Sequence, residues 1–356
     1  MKKLTILIKP VSSQCHMECQ YCFYKDIAHY RTESATKMDR DIWISIIQKT
    51  LTYCDEPIEI EYCFQGGEPL LAGIQFYESF IHELKMRNKI HTIKFAIQTN
   101  GTLINNDWID LFKRYNFLVG VSLDGIKKTH DLNRKISGQG SFDIVMSAIE
   151  LLKKNDIEFN ILSVVTSNMV NHAQDIYKFY QDMQFHYVQF IPCLPSLNSD
   201  NGLKPKEFFE FYKVLYDEYR KHLSIHISLF DQIHSLFHGG KECSCGMLGY
   251  CSIQIVIESD GSIYPCDFYA LDQYNLGHIQ TRSLKEIFTH NMAYTFLKEE
   301  KEYSYRCDEC EFYSLCQGNC KRQNICMFND DYCGYRELLK YIKKREGKYY
   351  EEIHNS

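Results

Sequence analysis

The chain has 356 residues, with 40 Lys and Arg against 46 Asp and Glu, a net charge near -6 and a hydrophobic fraction of 45%. That length carries one large domain or two ordinary ones with full cores, and the composition is that of a globular protein. The acidic balance leaves no broad basic field, so no nucleic-acid partner is expected, and the run "KKREGK" near the C-terminus reads as a solvated helix end.

In chain order, "MKKLTILIKP" has an apolar run of only five residues before Lys9 and Pro10, too short for a signal-peptide core. No stretch approaches a membrane span, so a cytoplasmic chain without a membrane partner is expected. A chain made there keeps its thiols reduced, and clusters among its 16 cysteines then point to metal rather than to disulfides. Strand candidates follow one another as "LTILI", "IEIEYCF", "IKFAIQT", "FLVGVSL", "EFNILSVV" and "YVQFI". Amphipathic stretches such as "RDIWISIIQKTLTYC" and "FDIVMSAIELLKKN" fall between them. Six βα units in a row predict a parallel sheet with crossover helices, either a barrel or a doubly wound sheet. Unusual polar segments follow the first five strands: a cysteine triplet, "QGGEP", "NGT", "DG" and "TSN". Barrels gather chemistry at the ends of all their strands and open sheets at one switch point, so the expected fold is α/β, a partial (β/α)6 TIM-like barrel over 1–234.

The first polar segment is "SSQCHMECQYCFYK", which sets Cys15, Cys19 and Cys22 at C-x3-C-x2-C spacing with Phe23 and Tyr24 behind them. A closed zinc site would want four ligands. Three thiolates suit a cubane cluster that keeps one iron open to a substrate or cofactor. In "QGGEP", Gly66 and Gly67 allow a ligand to approach the chain closely, and Glu68 offers an acceptor to an ammonium.

Beyond about residue 235 the character changes, and ten of the sixteen cysteines lie in this remaining third. "CGMLGYCSIQIVIESDGSIYPCDFY" looks like a hairpin turning at Asp260-Gly261. Cys245, Cys251 and Cys266 are spaced x5 and x14. Cys307, Cys310, Cys316 and Cys320 follow as C-x2-C-x5-C-x3-C, and Cys333 closes the series. Eight thiols make two sites of four, a ligand-stapled second domain over 235–356. Iron–sulfur clusters and structural zinc both suit such sites. Cys54, Cys63, Cys193, Cys243 and Cys326 are left over as buried or incidental thiols.

The triplet with Tyr21 inside it and an aromatic pair after it, joined by "QGGEP", resembles the radical S-adenosylmethionine superfamily. "LIKPVSSQC", "FQGGEPLLAG", "QTNGTLI", "GVSLDG", "FNILSVVTSN", "LKPKEF" and "SDGSIYPCDFY" together look like the anaerobic sulfatase-maturating enzymes. This resemblance covers nearly the whole chain, with Leu70 standing where a Thr is expected. It implies S-adenosylmethionine as cofactor, with contacts from Tyr21, Gly66, Gly67, Glu68, Ser122, Asp124 and Arg134. It also implies three four-iron clusters. Cys15, Cys19 and Cys22 would hold the first, Cys245, Cys251, Cys266 and Cys320 the second, and Cys307, Cys310, Cys316 and Cys333 the third.

The implied reaction oxidises a Cys or Ser of a sulfatase to formylglycine through a 5'-deoxyadenosyl radical. Electrons would come from a low-potential donor such as ferredoxin or flavodoxin. Asp267, next to Cys266, would be the general base, the second-domain clusters would accept an electron, and Tyr24 and Gln65 would touch the substrate. Two other readings share the cysteine scaffold: a maturase that crosslinks a ribosomally made peptide, and a zinc-stapled interaction module.

Overall fold

The computed structural model describes residues 2–32, 37–198, 200–240 and 244–354, with backbone only from 347 on, so Cys243 lies outside the described residues. The chain divides into two compact units that interleave along the sequence. The first comprises 1–123, 131–160 and 252–299, and the second comprises 124–130, 161–251 and 300–356. Among the described residues no helix is long and apolar enough to cross a membrane.

The first unit is built on strands β1 (Lys3–Ile8), β2 (Glu59–Phe64), β3 (Thr92–Thr99) and β4 (Phe117–Ser122), which pair in parallel in that order. Their alternation is the cause: Leu4, Ile6 and Ile8 on β1 and Ile60, Tyr62 and Phe64 on β2 are buried, while the residues between them are less so. Lys135–Ile136 and Gln139–Gly140 (β5 and β6) form a small antiparallel ribbon. Helices Arg40–Leu51, Ile74–Arg87, Asn106–Tyr115 and Phe142–Lys154 supply the crossovers. Each presents buried residues at three- and four-residue spacing, for example Phe76, Tyr77, Phe80, Ile81 and Leu84. An aromatic core lies between helix and sheet. The Phe64 ring stands edge-on to Tyr77 at 5.0 Å and to Phe80 at 5.5 Å, and Phe95 stacks on Phe117 at 5.1 Å.

Registry sets where the loops emerge. Ile8 lies beside Phe64, Phe64 beside Ile97, and Thr99 beside Val121, so the segments leaving all four strands open on the same edge. The other side of β1 is taken by β10 (Ile255–Ile257), which pairs with it in parallel from the far end of the sequence. The predicted hairpin is present: β10 turns through Asp260-Gly261 into antiparallel β11 (Ile263–Tyr264), with Gly261 at φ +88°. This pairing carries Cys266 and Asp267 into the first unit.

The second unit carries β7 (Phe159–Val165), whose first two residues belong to the first unit, with β8 (Tyr187–Pro192) and β9 (His226–Ile227), all parallel. Helices Ala173–Asp182, Pro205–His222 and Ser228–Phe237 accompany them, and the cysteine-bearing segments there are short turns ending in helix Gly334–His354. All six expected strands are therefore formed, and they alternate with helices.

Phe64 is 1% exposed and touches several rings of the first core. Phe64→Ala should lower unfolding stability by about 3–5 kcal/mol, read by denaturant titration; a loss under about 1 kcal/mol would mean that the ring cluster is not the core it looks.

Candidate functional site

Three loops at the strand ends of the first unit are knitted together. After β1 the chain turns through Ser12, whose φ of +48° is in the left-handed region. The Ser12 carbonyl accepts from Gly67 N–H at 2.6 Å, and the Gln14 carbonyl from Glu68 N–H at 2.7 Å. A Cβ on residue 67 would fall 1.9 Å from the Gln14 oxygen, so only glycine lets "QGGEP" lie against the cysteine loop.

Glu68 then ties in the loop after β3. Its side chain is fully buried: Oε1 accepts from Leu70 N–H (3.0 Å) and the Thr99 hydroxyl (2.7 Å), and Oε2 from Asn100 N–H (2.8 Å). Burial pushes this carboxyl up to about 7, with the three donors acting in the opposite sense. Oε2 accepts a single bond within the protein, and Glu68 acts as a clamp between two loops.

Asn100 passes the connection on to the thiols. Its Oδ1 accepts from the Thr102 N–H and hydroxyl, at 3.0 and 2.7 Å, which turns its Nδ2 toward Cys15 Sγ at 3.7 Å. Met17 N–H also points at Cys15 Sγ, at 3.3 Å. Burial pushes the Cys15 thiol up; the Met17 N–H opposes this, and the neighbouring Glu68 and Cys22 add to it. Donors aimed at sulfur suit a thiolate, as does the partial exposure of Cys15, Cys19 and Cys22, so the loop fits a thiolate-held cluster.

The remaining expected cofactor contacts are spread over both units. Glu18 and Gln20 N–H bond to the carbonyls of Lys135 and Asn133, and the Arg134 guanidinium lies 5.5 Å from the centre of the Tyr21 ring. Ser122 accepts from Gln98 Nε2 at 3.2 Å. Asp124 belongs to the second unit and is fully buried, with Oδ1 accepting from Val164 N–H at 2.9 Å.

The Asp267 carboxylate meets three side chains of the first unit. Oδ2 accepts from the Tyr24 hydroxyl at 2.8 Å and from Gln65 Nε2 at 2.9 Å, and Oδ1 lies 2.8 Å from Lys9 Nζ. The side chain keeps 15% exposure, while Lys9 keeps 1%. Burial, and after it the Asp267 charge, push the Tyr24 phenol well up, so Tyr24 stays a donor. The Lys9 ammonium also lies over the Tyr24 ring, 4.7 Å from its centre, and 3.0 Å from Glu258 Oε1. Glu258 Oε2 meets Arg31 at 3.0 Å, and Arg31 meets Asp260 at 2.8 Å. Sequence reasoning missed Lys9, Glu258, Arg31 and Asn100. The available signal was charge placement: Lys9 and Glu258 each directly follow an apolar strand, where a solvated residue would normally end the pattern.

In the second unit Cys307, Cys310, Cys316 and Cys333 line one cavity, together with Phe312 and Leu339. Burial pushes the Cys316 thiol up to about 11, and the other three add to this. Cys245 is raised by burial and then by Cys320 and Cys251, and a Cβ on Gly246 would lie 3.0 Å from Cys320 N. Four thiols around one cavity fit one four-thiolate ligand group, and Cys245, Cys251 and Cys320 are drawn close together in the same unit, while Cys266 belongs to the first unit. No group of three or more His, Cys, Asp or Glu among the described residues is placed to hold a single metal ion. Of the leftover thiols, Cys193 and Cys326 are buried, and Cys54 and Cys63 are partly so.

Comparison with known proteins agrees with this arrangement. The Radical SAM superfamily model matches residues 10–180, and the SPASM iron-sulfur cluster-binding domain matches 245–311. The chain is similar to the cysteine-type anaerobic sulfatase-maturating enzyme of Clostridium novyi, 40% identical over 90% of this chain and 89% of that protein. With the Clostridium perfringens enzyme of the same type the identity is 39%, over 97% and 98%. A serine-type enzyme of Bacteroides thetaiotaomicron is 28% identical over 99% and 90%. Among solved structures, native anSMEcpe with bound AdoMet and Kp18Cys peptide superposes with a TM-score of 0.86 at 37% identity, covering 96% of this chain and 98% of that one. The likeness extends over nearly the whole chain in both sequence and fold, and the chain belongs to the anaerobic sulfatase-maturating enzymes, radical S-adenosylmethionine oxidoreductases that modify proteins after synthesis.

Proposed function

We propose that this protein oxidises a cysteine side chain of a sulfatase polypeptide to formylglycine. The observation that carries this reading is the Asp267 carboxylate, partly exposed and gripped by Tyr24, Gln65 and Lys9 in the same unit as the N-terminal cysteine loop. Cysteine is favoured over serine because the cysteine-type relatives are 39 to 40% identical and the serine-type enzyme 28%.

On this reading residues 1–234 form the catalytic part and 235–356 the cluster-bearing part. Cys15, Cys19 and Cys22 hold one four-iron cluster; Cys245, Cys251, Cys266 and Cys320 hold a second, and Cys307, Cys310, Cys316 and Cys333 a third. When bound, these clusters and S-adenosylmethionine supply the radical that removes a hydrogen from the substrate Cβ and a sink for the electron then released. The chain itself handles the proton. Asp267 takes it from the substrate thiol, and loss of one hydrogen atom, one proton and one electron leaves a carbon–sulfur double bond. Water converts that bond to the aldehyde with release of hydrogen sulfide. Tyr24 and Gln65 hold the accepting oxygen and line the approach to it. Tyr21, Gly66, Gly67, Glu68, Ser122, Asp124 and Arg134 are assigned to the cofactor, and Glu68 also keeps its loop in place. A ferredoxin- or flavodoxin-type donor and a cytoplasmic setting complete the proposal.

Three measurements test it. Anaerobically reconstituted protein should hold about twelve irons, and changing Cys15, Cys19 and Cys22 together to Ala should leave about eight; an unchanged iron content would remove the cluster assignment. Glu68→Gln sets an amide N–H against a backbone or hydroxyl donor, so S-adenosylmethionine affinity should fall by roughly tenfold with iron retained. Equal affinity would show that the clamp does not shape the cofactor site. Asp267→Asn keeps the shape of the side chain and cannot take the proton. It should still produce 5'-deoxyadenosine while aldehyde formation on a Cys-containing sulfatase peptide falls about a hundredfold or more, and undiminished aldehyde would assign the proton to another residue.

A further inference from the structure

Lys9 is the most sequestered cation in the first unit's charge network, at 1% side-chain exposure against 5% for Arg31. A buried ammonium persists only when it is paired, because its desolvation costs several kcal/mol or more. Burial alone would push Lys9 down, and Asp267 and Glu258 outweigh it and push the group up. Glu258 is likewise held below its usual range: burial is overcome by Lys9 and then Arg31.

The charges in this network follow a definite count. Lys9 and Arg31 are the cations, and Glu258, Asp260 and Asp267 are the anions. Glu258 and Asp260 alone would balance Lys9 and Arg31, so neutrality does not require Asp267. The third carboxylate is the surplus group, and the Lys9 contact is what offsets its charge there. Apart from that ammonium, Asp267 Oδ1 has no hydrogen-bond partner among the described residues. Without Lys9 the carboxylate would keep only its two bonds on Oδ2 and would be free to rotate about them.

We propose that Lys9, braced by Glu258, is a positioning residue of the reaction: it fixes Asp267 through Oδ1 so that the Oδ2 edge, beside Tyr24 and Gln65, is the one that meets the substrate thiol. This rests on the assignment of Asp267 as the base. Lys9 acts through the carboxylate, and Glu258 and Arg31 act through Lys9.

The test measures aldehyde formed per 5'-deoxyadenosine by the reconstituted enzyme on a Cys-containing sulfatase peptide, together with iron content and melting temperature. Lys9→Met should lower that ratio about tenfold or more with iron unchanged, the scale expected when a reacting group is misplaced. Lys9→Arg, which keeps the charge, should recover most of it. In Lys9→Met the Glu258 carboxylate loses a partner and the fold weakens, so Lys9→Met/Glu258→Gln serves as the second variant. Its melting temperature should recover while the ratio stays low. An unchanged ratio in Lys9→Met, or a ratio that returns with the melting temperature in the double variant, would overturn the proposal and leave Lys9 a purely structural ion. The Asp267→Asn enzyme separates the two claims. A normal ratio there removes the base itself, whereas a low ratio there with a normal one in Lys9→Met removes only the role of Lys9.

Discussion

A lysine buried at the end of a parallel strand needs anions, and everything around this centre follows from where they come from. Lys9 follows β1 directly, and the chain next to it supplies no carboxylate within reach. Both of its partners arrive from the far end of the sequence, Glu258 after β10 and Asp267 after the hairpin. Backbone pairing of β10 with β1 makes that meeting possible: Ile8 lies beside Ile257, and Lys9 N–H bonds to the Ile257 carbonyl at 2.8 Å. The electrostatic demand and the strand pairing reinforce each other. Sheet registry brings the carboxylates to the ammonium, and the ion pairs give that registry a reason to be unique.

A second constraint runs through Glu68. Its carboxylate is buried without a cation among its bonded partners and survives on three donated hydrogen bonds. This joins the loops after β2 and β3, and Asn100 extends the connection to Cys15. The thiol nearest the clamp is therefore sensitive to how the Gly-Gly-Glu segment sits. Direct bonds couple the Gly-Gly-Glu segment to the cysteine loop, with Gly66 and Gly67 small enough for the two loops to touch.

Much of this could be read from the sequence because it is written locally. Strand alternation and the Asp260-Gly261 turn each occupy a short window, and each appears where expected. Asp267 stood out through its neighbour Cys266, and the fold surrounds its carboxylate with Tyr24, Gln65 and Lys9. Lys9 did not stand out, because its meaning lies in partners that only the sheet order brings close. Alone it reads as the solvated end of an apolar run. Glu68 was half legible: the motif pointed to the right loop, while the burial that turns its carboxylate inward depends on Thr99 and Asn100 from another strand. The interleaving of the two units was invisible for the same reason, since composition changes once near residue 235 and the contact pattern switches several times.

The lateral position of β10 also bears on how the protein is made. One edge of β1 is covered by β2, and the other stays open until residues beyond 255 have been synthesised. At ordinary elongation rates that interval is roughly 10 to 50 s. An unpaired strand edge invites pairing with other chains, and here it runs straight into a loop of three reduced cysteines. The nascent N-terminal half thus exposes an unpaired strand edge and a loop of three free cysteines together. A ribosome that stops before the last third releases a chain whose first strand has no native neighbour on that side.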